Sequence, residues 1–520
     1  MAVGTIVVLP HLWGLVKFGQ EYSPLRINSK LQYIWDETYL YAAQTQHYLN
    51  GNLRGDTYLF EHQGESSPFL GEVASIIPLV IFSLLTGSVA NSFLVSDFAF
   101  PIAFFLLVFL IARKMTKNDL WSTVAGLTVV ITPNLSSLLP FFSKEGTTIT
   151  GSATDPLLLS RTPHPQISLI YLFAVLFLTY ILLTKPTKST AYLWSTVVGL
   201  SLYSSLFIGS TVLLATLILF PAIIKKIKIK LFLACLAIIL IIAIPYLVNY
   251  VNILDFIRNT DFLERTTYSV HILFPRQLRY LLFVFLLVKL NKKDHLPKII
   301  LVFILAASII TDGHQLILGR SIDADHWINR VIAPISTFSI VLIVYSLLKN
   351  ISSRIAPLAL CILILIIGLG MQISWISKNT INFKNDPNIV NIINKINKTT
   401  KTTDVIGSED FEINQNITGM TGRKSYLGPA DRVLANFDER TQRACDLVSL
   451  SDKKEQSVSE NLTEYAVGLL IWKKMNLAEK EKIISNTYNC QKNNYTNKYK
   501  IDYFISENSD KSYTLTKLGD

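Results

Sequence analysis

The chain has 520 residues, half of them hydrophobic and only 16% charged, with a formal net charge of +11. Apolar runs of membrane-span length recur from residue 95 to residue 376, more than a soluble core absorbs, so composition excludes an ordinary soluble protein. Four cysteines without a CxxC pairing argue against a zinc module or a dense disulfide framework.

Taken in chain order, residues 2–16 form a first span that looks clipped at its start. It lacks a basic leader and a small-residue cleavage site, so it reads as a retained span. A polar stretch follows to residue 71 and contains the run WDETYLYAAQTQHYLNGNL, whose acidic pair Asp36 and Glu37 opens a helix. Residues 69–88 are apolar and bounded by Pro68, Pro78 and Gly87.

Six segments, at 95–113, 121–140, 166–184, 231–250, 331–348 and 354–376, are long enough to cross a hydrocarbon core of roughly 30 Å. The run 189–224 lies between lysine clusters and is expected to cross twice, turning near Phe207 to Gly209. Residues 277–290 and 297–312 make another short pair, for about eleven spans in all.

Loop charges orient the bundle. The loops at 113–119, 185–188, 225–230, 289–298 and 349–354 hold 15 Lys and Arg against Asp119 and Asp294, a net of +13, so the rest of the chain sums to −2. By the positive-inside rule these loops are cytoplasmic, and the basic balance reflects topology, not nucleic-acid binding. If 69–88 crossed the membrane, Arg113, Lys114 and Lys117 would fall on the wrong side. The segment is therefore expected to lie in the outer interface.

This arrangement puts the N-terminus inside and the first loop (17–94) and the tail from 377 outside. Most reactive side chains collect outside, while the spans carry almost no ionisable groups at mid-depth. A coupled transporter needs such groups near the midplane. An outer-surface site is favoured instead.

The sequences WDETYLYA at 35–42 and FEHQGESSPFLGE at 60–72, followed by an interfacial helix, resemble the first external loop of the GT-C glycosyltransferases, particularly protein O-mannosyltransferases and lipid A aminoarabinose transferases. The resemblance implies an eleven- to thirteen-span helical bundle with a soluble domain at its end. It also implies a polyprenyl-phosphate sugar donor and an acidic residue of the first loop at the catalytic centre. That family's second block sets Glu or His directly before two prolines, whereas here five residues separate His62 from Pro68. Both Glu61 and Glu65 therefore stand as candidates beside Asp36 and Glu37.

Sugar transfer from a lipid phosphate to a hydroxyl needs a base for the acceptor proton and positive charge for the leaving phosphate. Asp36 suits the base, and equally suits the cap of the helix that follows. For the phosphate, Arg161 and His164 in SRTPHPQ sit just ahead of a span, at headgroup height, where an arginine also serves as an interfacial anchor. Arg320 and Arg330 in GRSIDADHWINR form a second cationic group. Within it, Asp323, Asp325 and His326 are candidate ligands for a divalent metal, against a plain solvated loop.

The tail at 377–520 is polar and reads as a small extracytoplasmic α/β domain. Helices are expected at 387–397 and 477–486, and strands near 403–407, 465–472, 499–506 and 512–516. The glycine-punctuated stretch TGMTGRKSYLG at 418–428 either faces the membrane site or is a plain turn. Cys445 and Cys490 are the two cysteines of the tail and are expected to pair if the compartment is oxidising.

The sequence thus describes an α-helical polytopic membrane protein of GT-C type in the cytoplasmic membrane, residues 1–376, carrying the tail domain. Its partners would be a polyprenyl-phosphate sugar, a lipid, glycan or protein acceptor, and membrane lipids, without nucleic acid. The alternatives are a lipid-linked saccharide flippase or transporter, or a non-catalytic envelope-assembly protein.

Overall fold

A computed structural model describes residues 1–25, 38–66, 72–135, 157–252, 267–268, 274–318, 321–322, 324–350, 354–379, 384–430, 432–451, 453, 456–468, 472, 475–490 and 498–518. Helices dominate up to residue 379. Among the described residues, six are long and apolar enough to cross a membrane: Val89–Thr116, Leu206–Ile224, Ile229–Asn252, His295–Leu316, Asp325–Leu348 and Ile355–Ser377. Shorter apolar helices run over Ala2–Phe18, Val73–Thr86, Asp119–Ile131 and Ser168–Thr184.

The helix starts are capped where the sequence offers a short polar side chain. Asn118 accepts from the Trp121 amide at 3.1 Å and Thr187 from the Thr190 amide at 3.1 Å, each contact worth about 1 kcal/mol. Between the helices lies a dry core in which the Phe104, Phe173 and Phe338 rings meet edge to face. On the outside, Leu240, Ile241, Ile244, Leu247 and Val248 of one helix are all exposed. Such a face is stable only against lipid.

The basic loops converge at one end. The Tyr345 hydroxyl donates to the Thr116 carbonyl at 2.6 Å, and the Asn291 amide donates to Ser346 Oγ at 2.9 Å. The hairpin between the lysine clusters forms from Lys188–Ser201 and Leu206–Ile224, with its turn at 202–205 and not at Phe207 to Gly209. Gly209 serves a close approach instead. A Cβ there would sit 2.8 Å from Leu202 Cα, inside the helix that follows the turn.

Val73–Thr86, the helix expected in the interface, meets the end of the bundle opposite the basic loops. Its first turn is bonded to the 201–205 turn, Ala74 N to the Tyr203 carbonyl at 2.8 Å and Ser75 Oγ to the Ser204 carbonyl at 2.8 Å. Its last turn ends at the left-handed Gly87, directly before Val89–Thr116. Ile77, Ile81, Leu84 and Leu85 point away from the protein, while Ile76 and Leu79 are buried against Leu40, Tyr41 and Phe93.

The tail is built on a four-stranded sheet ordered Lys424–Ser425, Val405–Ser408, Tyr503–Glu507, Tyr513–Lys517, the first three parallel and the last antiparallel. Helices Pro387–Thr399 and Leu477–Asn489 stand where the sequence places them. The described part of the strand expected at 465–472 is not a strand, because the helix Gln456–Val467 runs into it. Val458, Leu462 and Ala466 recur every four residues and are buried together against Val405, Tyr426 and Leu447, a helical period that outweighs the short apolar run. Cys445 and Cys490 are disulfide-bonded, with 5.5 Å between their Cα atoms.

This sheet is docked onto the first long loop, at 38–66. Gly55, at φ +83, turns that loop so tightly that a Cβ would meet the Gln63 carbonyl. The buried Asp56 carboxylate accepts from the Tyr58 and Leu59 amides of its own loop at 2.7 and 2.9 Å, and from the Leu434 amide of the tail. Lys424, also buried, donates to the Asp56 and Thr57 carbonyls at 2.7 and 3.1 Å. Burial pulls its amine down to about 8. The stretch TGMTGRKSYLG therefore ends the helix Phe411–Thr421 at the left-handed Gly422 and seats the tail on the loop.

Arg443, with no exposed side-chain surface, donates to Glu61 and to Glu439 at 2.7 Å each and to the Tyr426 carbonyl at 3.1 Å. Removing one partner of a buried ion network strands the others, at a cost of about 3 to 5 kcal/mol. Arg443→Met is expected to free the tail for limited proteolysis and lower the melting temperature, with Glu61→Gln milder because Glu439 still pairs. Wild-type protease resistance in Arg443→Met would show that this network does not hold the tail.

His62 adds a pH dependence. Its Nε2 meets Glu439 at 3.0 Å and its Nδ1 meets Glu65 at 2.8 Å. The hydrogen bond to Glu439, opposed by partial burial and helped by Glu65, raises its pKa from 6.5 to about 9. A raised folded-state pKa means stability fully present below 6.5 and lost as pH climbs through about 9. Lys424 titrates in the opposite sense, from about 8 upward. Tail release should therefore be compared between wild type and His62→Gln, and only the wild type should lose protection specifically between pH 6.5 and 9.

Candidate functional site

At the end of the bundle that carries the interfacial helix, four stretches of chain meet around one imidazole. His164 is 1% exposed, and neither of its ring nitrogens has a hydrogen-bond partner among the described residues. Burial lowers its pKa well below the usual range, and the nearby charges of Arg330, Arg161 and Arg432 lower it further. The ring is therefore neutral at neutral pH, with one N–H to donate and one lone pair to accept.

Tyr41 packs edge to face on His164, with ring centroids 5.3 Å apart. Burial raises its phenol pKa, as does Glu72, while Arg161, Arg330 and Arg432 oppose the rise. Glu72 accepts from the Gln44 amide at 3.3 Å. The arrangement thus has three guanidinium groups around a neutral imidazole, with a phenol and a carboxylate at one side. Arg330 also lies over the Phe207 ring at 5.5 Å, so the aromatic face fixes its approach.

Each participant is placed by its own element. Tyr41 stands in the helical turn Thr38–Ala42, whose residues Leu40 and Ala42 pack on the interfacial helix. Arg161 and His164 belong to the loop ahead of Ser168–Thr184, where Pro163 and Pro165 both follow cis peptide bonds. Arg330 lies in the wide helical turn Ile328–Ile332 that leads into Ala333–Leu348. Arg432 comes from the docked tail, just after the Lys424 anchor.

Of the candidates read from sequence, the structure brings Arg161, His164 and Arg330 together. Asp36, Glu37, Arg320 and Asp323 lie outside the described residues. Glu61 and Glu65 are engaged in the contact between loop and tail, with Arg443 and His62. His326 stacks on Phe207, with centroids 4.9 Å apart, and Asp325 is exposed. Among the described residues no three His, Cys, Asp or Glu side chains gather as a metal site.

Sequence reasoning passed over Tyr41, Glu72 and Arg432. Glu72 closes the quoted stretch FEHQGESSPFLGE, and Arg432 follows TGMTGRKSYLG by four residues. Both lay next to segments already singled out. Also unexpected are two ionisable side chains buried within helices, Asp97 in Val89–Thr116 and Arg279 in Phe274–Leu290.

The charges assigned to His164 make a direct expectation. Arg330→Gln and Arg432→Gln each remove a like charge and should raise the imidazole pKa. Solid-state NMR of ¹⁵N-histidine protein, with His164→Gln to assign the signal, reads the shift. No movement in either variant would leave burial and Arg161 as the causes of the shift.

No family model matches the chain, and no curated protein matches it. Among solved structures, it is similar to ArnT from Cupriavidus metallidurans in the apo state, with 11% identity over 85% of this chain and 91% of that one, at a TM-score of 0.47. It is similar also to ArnT from the same organism bound to undecaprenyl phosphate, with 12% identity over 84% of this chain and 91% of that one, at a TM-score of 0.48.

Proposed function

We propose that the chain is a membrane glycosyltransferase that moves a sugar from a polyprenyl-phosphate donor to an acceptor hydroxyl, on the outer face of the cytoplasmic membrane. The observation that carries this reading is the charge of Arg161, Arg330 and Arg432 acting on the buried His164, which has no hydrogen-bond partner among the described residues. A lipid phosphate in the outer leaflet is an anion at this depth. Guanidinium groups bind it through short charge-assisted bonds, and the imidazole N–H adds a neutral donor.

In this reading the arginines stabilise the charge that grows on the leaving phosphate as the bond from the sugar breaks. The acceptor proton goes to a carboxylate of the first loop, which we assign to Asp36, with Glu37 beside it. Glu61 pairs with Arg443 of the tail and Glu65 with His62 of its own loop, so both are set aside as bases. The acceptor is a hydroxyl of a lipid, glycan or protein. The dry aromatic packing of Phe104, Phe173 and Phe338 between the helices favours catalysis at the surface over a polar transport path.

The test separates binding from chemistry. Arg161→Ala should raise the donor Michaelis constant by about 10- to 100-fold, the worth of a hydrogen bond to a charged group. Asp36→Asn keeps size and capping ability but should lower turnover by about 100- to 10,000-fold with donor binding intact. An unchanged Michaelis constant would assign Arg161 to interfacial anchoring. Near-normal turnover in Asp36→Asn would eliminate that residue as the base.

A further inference from the structure

We propose that Asp97, a carboxylate buried in the helix Val89–Thr116, is the positioning residue that sets the Arg161–His164 loop, an inference that rests on the phosphate-site reading above. Asp97 is 2% exposed. Its Oδ1 accepts from the Gln166 amide at 2.8 Å and lies 2.5 Å from the Thr162 hydroxyl, and its Oδ2 faces His11 Nε2 at 3.1 Å. The other nitrogen of His11 meets the Tyr22 hydroxyl at 2.6 Å.

Gln166 completes the brace. Its amide nitrogen also donates to the Leu159 carbonyl at 2.7 Å, and its oxygen accepts from Ser96 Oγ at 2.7 Å, with the Thr162 hydroxyl 2.8 Å away. A hydroxyl has one proton, so Thr162 shares it between Asp97 and Gln166. Residues 159, 162 and 166 are thereby fixed to one carboxylate and one amide. Arg161 and His164 fall between these fixed points, and His164 makes no hydrogen bond at all among the described residues.

That division of labour is informative. The network satisfies the polar groups of the loop's frame and leaves the imidazole nitrogens open. A carboxylate within a membrane helix is costly and needs partners. Asp97 has three, two of them in the loop, so its role is exerted through Thr162 and Gln166 and not on the substrate itself. Without it, Gln166 loses the charged acceptor that holds it between the loop and the helix, and His164 is no longer held at one depth.

The test uses the full-length protein in lipid nanodiscs, the rate of diethyl pyrocarbonate modification at His164 read by peptide mass spectrometry, and the Kd for undecaprenyl phosphate. Asp97→Leu is expected to speed His164 modification and to weaken binding by about 10-fold or more, the loss of hydrogen bonds to a buried charge. Asp97→Asn, whose carbonyl oxygen still accepts from Thr162 and Gln166, should restore both. If Asp97→Leu does not fold, Gln166→Leu breaks the same brace. Unchanged His164 reactivity in the folded variant, with or without a loss of affinity, overturns the proposal. A wild-type protein that does not bind undecaprenyl phosphate instead overturns the donor reading, and His164 reactivity alone then decides the role of Asp97.

Discussion

Three guanidinium groups around one neutral imidazole form an arrangement that resists its own assembly. Like charges at the edge of a low-dielectric bundle repel more strongly than they would in water, and His164, kept neutral first by its burial, is held further from its charged form by them. Such a cluster persists only where rigid elements hold it. Here the cations come from different stretches, Arg161 from a loop, Arg330 from a helix start and Arg432 from the tail, so each must be fixed independently.

Two of the three cations are placed by a neighbouring buried charge, and Arg330 by its helical turn and the Phe207 ring beneath it. Asp97 braces the loop of Arg161 through Thr162 and Gln166. Lys424 and Arg443 seat the tail, and so Arg432, on the first long loop through Asp56, Thr57 and Glu61. The first loop is pressed from both sides, with Ile76 and Leu79 of the interfacial helix on one and Val433 and Ala435 of the tail on the other. It is this double packing that sets Tyr41 against His164.

Much of this was legible in the sequence. Span-length apolar runs, bounded by lysine clusters, located the membrane helices because a hydrocarbon core leaves the backbone no other choice. The apolar run at 69–88 gave the helix Val73–Thr86, with Ile77, Ile81, Leu84 and Leu85 facing outward. Arg161 and His164 stood out because two prolines frame them at a span boundary. The strand expected at 465–472 failed because four-residue spacing beginning at Val458 lies upstream of the apolar run that suggested it.

What the sequence did not carry is the long-range pairing. Arg432 has no local pattern that marks it, and Glu72, though it closes a family-like stretch, is set apart from the other acidic residues there only by what the folded loop meets. Glu61 shows the converse. Its position in a family-like stretch suggested chemistry, yet its carboxylate accepts from the buried Arg443 and from the Lys500 amide at 2.9 Å. Glu72, twelve residues from the start of that stretch, is the carboxylate whose charge reaches Tyr41. In a loop folded between two surfaces, neighbours in sequence face opposite partners, so the acidic residue that matters to the site is chosen by which surface it meets and not by its place in the motif.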